Sequence, residues 1–183
     1  TLFPGIYELV AYCKEIGLYP TLITNALVLA KKEKCVRFRE AGIRDFLVRS
    51  GLHGPISTAE LPYRLGTDLL DRFPGCEAHS VVACAALVGV PLYTSSPGDS
   101  SIGMNVASHA LLERSRLTTD PNRDVNEVCA LVLAGRRNGC VILGGGSPKN
   151  FYLQAQPMLW EVYGIEKGGN DYFIQLTTDQ AVW

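Results

Sequence analysis

Three short stretches carry residue types that could bind or react with a ligand. Ser95-Ser96-Pro97-Gly98-Asp99-Ser100-Ser101 surrounds one carboxylate with hydroxyls and a glycine. Gly144-Gly145-Gly146-Ser147 strings three glycines ahead of Pro148, Lys149 and Asn150. Thr177-Thr178-Asp179 pairs hydroxyls with a second carboxylate. A glycine run lets backbone amides approach an anion such as a pyrophosphate, or simply makes a tight strand-to-helix turn. It is not the G-x-G-x-x-G spacing of a dinucleotide fingerprint. Two roles are open to Asp99: accepting from ribose hydroxyls or pairing with a cation, or capping a helix that starts near Ile102. Lys149 could contact a phosphate, act as a nucleophile, or be an exposed first-turn lysine. His53, His79 and His109 are scattered without metal-ligand spacing and read as structural or surface residues. The six cysteines, Cys13, Cys35, Cys76, Cys84, Cys129 and Cys140, hold no C-x-x-C pair, so neither a metal site nor a disulfide framework is expected.

These stretches need elements to position them. Ile6, Leu9, Val10, Cys13 and Ile16 fall at helical spacing before Gly17. Tyr19–Thr24 reads as a strand, residues 31–41 as a helix, and Ile43–Val48 as another strand. A loop, Gly51-Leu52-His53-Gly54-Pro55, follows. Ser57-Thr58-Ala59-Glu60 is a capping box that should open a helix with Leu61, Leu65 and Leu69 on one face. Ser80 should cap a helix over Val81–Val88 that Gly89 ends, ahead of a strand at Val90–Thr94. Asp124-Val125-Asn126-Glu127 reads as the cap of a helix running to Ala134. A buried strand at Cys140–Leu143, a helix around Phe151–Tyr163 and a last strand at Tyr172–Thr177 complete the pattern. Strands alternating with helices predict an α/β fold with a parallel sheet and helices on its faces. In such a sheet ligands gather at the carboxyl ends of strands, where all three stretches fall, so they are expected to meet in space.

Composition narrows the function. The chain has 183 residues, 47% hydrophobic and 19% charged, with a net charge of -1. That excludes disorder and argues against a dedicated nucleic-acid binder. No run approaches the ~20 apolar residues of a membrane span. The start, Thr1-Leu2-Phe3-Pro4, lacks the basic region of a targeting segment, and the unpaired cysteines fit a reducing cytoplasm. Charge is uneven: eight lysines and arginines face five acids through residue 50, and nine face thirteen beyond it. Seven of those eight lie between Lys31 and Arg49, which reads as a solvated helix face.

From about residue 50 onward the motifs become specific. Gly89-Val90-Pro91-Leu92-Tyr93-Thr94-Ser95-Ser96-Pro97-Gly98-Asp99-Ser100-Ser101-Ile102-Gly103 resembles deoxyhypusine synthase and its bacterial and archaeal relatives. So do Ile142-Leu143-Gly144-Gly145-Gly146-Ser147-Pro148-Lys149-Asn150 and Asn170-Asp171-Tyr172-Phe173-Ile174-Gln175 with Thr177-Thr178-Asp179. The resemblance implies a Rossmann-like parallel sheet with helices on both faces, in a homotetramer with sites at subunit interfaces. It implies a transferase that oxidises a polyamine with NAD and passes an aminobutyl group through an enzyme lysine to an acceptor amine. By the same resemblance Asp99, Gly144, Gly145, Thr178 and Asp179 contact NAD, and Lys149 and Asn150 stand on the substrate side. The pattern departs at Met104, where deoxyhypusine synthase has an Asp for the polyamine, and at Asn150, where it has a His. The nucleophilic lysine of the family lies in a Ser-Trp-Gly-Lys motif that does not occur through Trp183. The expectation is therefore weak NAD binding at best and no catalytic lysine in this chain. The alternative is a non-catalytic α/β fragment of a gene fusion that serves oligomerisation.

Upstream, Thr1-Leu2-Phe3-Pro4, Gly17–Asn25 and Glu40–Phe46 resemble the middle of a radical SAM enzyme. That resemblance implies a fusion, with residues 1–46 from one family and 47–183 from the other. It implies no radical chemistry here, because the C-x-x-x-C-x-x-C cluster motif is missing from the cysteine spacing.

Overall fold

The computed structural model describes the backbone of residues 22–23 and, in full, residues 43, 45–112, 116–167 and 169–177. The expected helices over 6–16 and 31–41 lie outside the described residues. So do Thr178 and Asp179, and the expected 46/47 junction abuts a mostly undescribed stretch. The chain divides into two compact units, Thr1–Pro121 and Asn122–Trp183.

In the first unit, Leu22–Ile23 (β1) pairs in parallel with Leu92–Tyr93 (β3), and Gly54–Ile56 (β2) pairs in parallel with Leu117–Thr119 (β4). Residues 45–50 are helical (α1), not the strand that their apolar composition predicts. The reason is visible in the burial. Phe46 and Leu47 are both buried while residues 45, 48, 49 and 50 are exposed, a pattern that strand alternation cannot produce. Asp45 and Arg49 also pair at helical i,i+4 spacing, 3.2 Å apart. Gly54 and Pro55, expected as loop, belong to β2, and β4 has no counterpart in the expected elements.

Glu60–Arg72 (α2) begins two residues later than a box capped by Ser57 would start it, although Ser57 Oγ does accept the Glu60 N–H at 3.0 Å. The reciprocal half of the box is absent. Glu60 Oε1 instead accepts from Arg64 Nε at 2.9 Å. Leu61, Leu65 and Leu69 are buried as the spacing predicts. Each such leucine stabilises the fold by about 1.5–3 kcal/mol on transfer arithmetic. Val81–Val88 (α3) carries the predicted cap: Ser80 Oγ accepts from the Ala83 N–H at 3.2 Å, and Gly89 closes the helix at φ 68°. Helices α2 and α3 meet closely at Gly66, where a β-carbon would stand 2.4 Å from the Val82 carbonyl oxygen. Ser101–Leu111 (α4) follows a 3-10 turn at Pro97–Asp99. The core of this unit gathers Phe46, Leu47, Leu52, Ile56, the three α2 leucines, Cys76, Ala83 and Leu117.

In the second unit the helix predicted from Asp124 begins three residues earlier, at Pro121 (α5, Pro121–Ala134). Proline at the first helical position is favoured because its missing N–H would be unpaired anyway. Asp124 is therefore in the first turn rather than outside it, and only 1% exposed. Gly139–Leu143 (β5) and Tyr172–Leu176 (β6) pair in parallel, with Ile142 opposite Gln175 and Leu143 opposite Leu176. Ser147–Leu153 (α6) leaves β5 through the glycine turn and continues through Ala155–Pro157 into a π turn at Met158–Val162. Strand β5, expected to be buried, buries only Ile142 fully. Alternation explains this: Val141, Leu143, Tyr172, Ile174 and Leu176 share the other face and are all exposed.

The chain is thus α/β, and its described strands form three two-stranded parallel sheets. Among the described residues no helix is long and apolar enough to cross a membrane.

Candidate functional site

The Asp99 loop is built by local hydrogen bonding in the first unit. Strand β3 delivers Thr94, which is buried, and its N–H donates to Thr58 Oγ1 at 2.9 Å. The Asp99 N–H closes the 3-10 turn on the Ser96 carbonyl at 3.0 Å. The cap of α4 is Ser100, not Asp99. Ser100 Oγ accepts from the Gly103 N–H at 3.0 Å and donates to the Pro97 carbonyl at 2.8 Å. Of the two roles open to Asp99 the capping role is therefore filled by its neighbour. The Asp99 carboxylate is exposed, and no ion pair engages it among the described residues. Met104, on the first turn of α4, is 64% exposed.

The glycine loop belongs to the second unit. Gly144 and Gly146 adopt φ 91° and 75°, a region that side chains with a β-carbon rarely enter, so these two positions require glycine for conformation. A β-carbon at either would meet no described atom within 4 Å, so the space over the turn is open. The turn is tied to β6 by the Gly144 N–H, which donates to the Leu176 carbonyl at 2.7 Å. Lys149, on the first turn of α6, reaches back and donates from Nζ to Gln175 Oε1 at 3.0 Å. Gln175 Nε2 in turn donates to the Gly144 carbonyl at 2.8 Å. Asn150 is exposed, and its N–H donates to the Gly146 carbonyl at 3.1 Å.

The predicted residues thus divide. Gly144, Gly145, Lys149 and Asn150 come together at the carboxyl end of β5. Asp99 stands on its own loop in the first unit, and of the third stretch only Thr177, exposed after β6, is described. Sequence reasoning gave Gln175 no role, although a lone polar side chain in the apolar strand Tyr172-Phe173-Ile174-Gln175-Leu176 is a signal. His109, read from sequence as structural or surface, is buried at 4% exposure, and its Nδ1 has no hydrogen-bond partner among the described residues.

Other groups of the second unit are kept neutral. Burial pushes the Cys140 and Cys129 thiols up. Burial, reinforced by Cys140, raises the Tyr152 hydroxyl to about 12 while it donates to Asn170 Oδ1. Among the described residues no three His, Cys, Asp or Glu side chains cluster to hold a metal ion.

The glycine turn and the fixed Lys149 stand at the carboxyl end of a parallel strand, the position at which open α/β sheets gather ligands. The chain belongs to the deoxyhypusine synthase family, whose sequence profile matches residues 23–183. That match begins at residue 23, inside the stretch 1–46 expected to come from another family. A deoxyhypusine synthase-like protein of Nostoc punctiforme is 49% identical over 144 residues, 75% of this chain and 37% of the relative. One from Thermosynechococcus vestitus is 46% identical over 147 residues, covering 75% and 36% respectively. A probable deoxyhypusine synthase 2 of Methanosarcina acetivorans is 36% identical over 127 residues, covering 69% and 36%. The chain spans little more than a third of the length of these relatives.

Proposed function

We propose that this chain is the NAD-binding region of a deoxyhypusine synthase-like transferase with a Rossmann-like fold. The family is NAD-dependent, and the observation that carries the reading is the glycine turn at the end of β5. Its two positive-φ glycines leave open space where a diphosphate would lie, and Lys149 is held beside it. The residues that the resemblance assigns to NAD are Asp99 in the first unit and Gly144, Gly145, Thr178 and Asp179 in the second, and NAD when bound supplies the hydride acceptor for oxidation of an amine. Asp99, exposed and not used as a cap, is suited to accept from ribose hydroxyls. The resemblance would put Lys149 and Asn150 on the substrate side; Asn150, exposed just past the turn, keeps that role here, whereas the fixed charge of Lys149 favours the cofactor side. The reaction would be transfer of an aminobutyl group from a polyamine-like donor to an amine. Exposed Met104 and neutral Asn150 cannot pair with a cationic amine as an Asp would, so the donor or acceptor differs from that of deoxyhypusine synthase.

Calorimetric titration of NAD into the folded chain tests the reading. Saturable binding at or below millimolar NAD is expected, and no heat in a sample shown folded by circular dichroism would sink it.

A second reading, assembly without catalysis, is favoured by the apolar face of Val141, Leu143, Tyr172, Ile174 and Leu176. A face of that kind is commonly covered by a partner surface. Sedimentation separates the outcomes: a discrete tetramer accords with assembly of copies, and a monomer at every concentration contradicts it.

A further inference from the structure

The proposed function uses Lys149 beside the glycine turn but gives no role to Gln175, which bridges β6, α6 and the turn. Lys149 Nζ and Gln175 Oε1 lie 3.0 Å apart, and Gln175 Nε2 lies 2.8 Å from the Gly144 carbonyl. The two contacts fix the amide orientation without ambiguity. An ammonium can only donate, so it faces the amide oxygen, and a carbonyl can only accept, so it faces the amide nitrogen. The residues are 26 apart in sequence, and the register that sets Ile142 opposite Gln175 brings them together.

The charge arrangement is unusual for a surface lysine. Lys149 has no carboxylate partner among the described residues, and its acceptor is a neutral amide. The bridge therefore orders the cation without neutralising it. It occupies one of three ammonium N–H groups and leaves two for a ligand. A fixed positive charge repels a polyamine and attracts a phosphate, so its sign decides which side of the reaction it serves.

We propose that Gln175 is a positioning residue whose amide holds the Lys149 ammonium beside the Gly144–Gly146 turn to meet a phosphate-bearing ligand, the diphosphate of a dinucleotide. This rests on the NAD reading above and assigns Lys149 to the cofactor side. Gln175 acts through Lys149 and touches no ligand itself. Releasing the bridge leaves the charge in place but obliges binding to order a long, rotamer-rich side chain.

The test is a double-mutant cycle on the full chain, read by calorimetry with NAD, inorganic pyrophosphate and adenosine as separate probes. Lys149→Met is expected to weaken NAD and pyrophosphate by at least about tenfold, the scale of a lost charge-assisted hydrogen bond. Gln175→Leu is expected to weaken both by about 2- to 13-fold, the cost of ordering one side chain. Gln175→Glu, which keeps the size but neutralises the ammonium, should weaken them at least as much. Adenosine binding should be unaffected in all. The decisive reading is non-additivity: in the Lys149→Met background Gln175→Leu should cost nothing further. Equal effects of Gln175→Leu in both backgrounds would show a merely structural role and overturn the proposal. NAD binding that ignores both substitutions overturns it while leaving the NAD reading intact. Pyrophosphate binding that depends on the bridge, with no NAD binding, keeps the bridge as a free-phosphate site and overturns the NAD reading. Absence of binding by both probes overturns both. Thermal melts of each variant verify that the fold persists, and Gln175→Glu supplies the second variant should Gln175→Leu unfold.

Discussion

Alanine at Gly103 would strike the Asp99 loop without touching Asp99. Gly103 is the third residue of α4, and a β-carbon there would stand 1.7 Å from the Pro97 carbonyl oxygen. An ordinary carbon–oxygen contact is ~3.3 Å, so backbone would have to move by roughly 1.6 Å. Pro97 is not free to move at no cost, because its carbonyl accepts the Ser100 hydroxyl at 2.8 Å and Ser100 caps the helix. Overpacking costs about 1–3 kcal/mol and a weakened cap about 1, offset by up to ~1 gained from replacing glycine inside a helix. The net expectation is a destabilisation of about 2 kcal/mol, which for a chain this size lowers Tm by roughly 4–8 °C. Gly98→Ala is the matched control in the same loop: its β-carbon meets nothing within 4 Å and its φ is not positive. It should change stability by no more than about 0.5 kcal/mol. Thermal unfolding of both variants against the native chain is the assay. If Gly103→Ala melts within a degree of native, or if the two variants melt alike, the geometry assigned to this turn is wrong. Because the clash displaces the Pro97–Asp99 turn, Gly103→Ala should also weaken NAD, whereas Gly98→Ala should not.

Three further outcomes follow from the same reasoning. Tyr152 has a hydroxyl raised from 10.0 to about 12, so its contribution to stability is fully present below pH 10 and is lost as pH rises toward 12. With partial solvent screening that loss is of order 1–2 kcal/mol, and it should appear as the difference between native and Tyr152→Phe in alkaline denaturation curves. Ser80→Ala removes the acceptor of the Ala83 N–H and should cost about 1 kcal/mol in urea unfolding, while Ser80→Asp should cost little. Asp68 accepts from Arg49 at 3.0 Å and from Arg72 at 3.4 Å, so Asp68→Asn should lower Tm at low salt and converge on native at molar salt.

What could be read from sequence was local. The helices at Glu60 and Val81 announce themselves because a serine oxygen reaches an amide three residues on, and that signal needs no knowledge of the rest of the chain. The helix at 45–50 was hidden because its apolar run is too short to separate periods of 2 and 3.6, although the Asp45–Arg49 spacing pointed the right way. Strands β2 and β4 are three residues each, one containing Gly54 and Pro55, and derive their identity from pairing with each other across more than 60 positions. Asp124 resembled a cap because carboxylates favour helix starts, but Pro121 outranked it. At the candidate site the glycine turn was legible as composition. The Lys149–Gln175 bridge was not, because it depends on the register of β5 against β6, which no local pattern encodes.

The departures from deoxyhypusine synthase fall unevenly, and that unevenness carries the functional argument. Asp99 and the three glycines retain the residue types expected to meet a dinucleotide, and Gly144 and Gly146 adopt the positive φ that makes glycine necessary there. Met104 and Asn150 replace the groups expected to meet an amine, and both are exposed rather than absorbed into a core. A buried replacement would be explained by packing, but an exposed methionine one turn into α4 gains little from burial and so is not explained that way. Lys149, held without a carboxylate partner among the described residues, adds a positive charge where a polyamine would be repelled. Under the proposed function, then, the cofactor and substrate sides come apart: the chemistry of NAD is retained, while the amine it oxidises must be recognised by groups other than these.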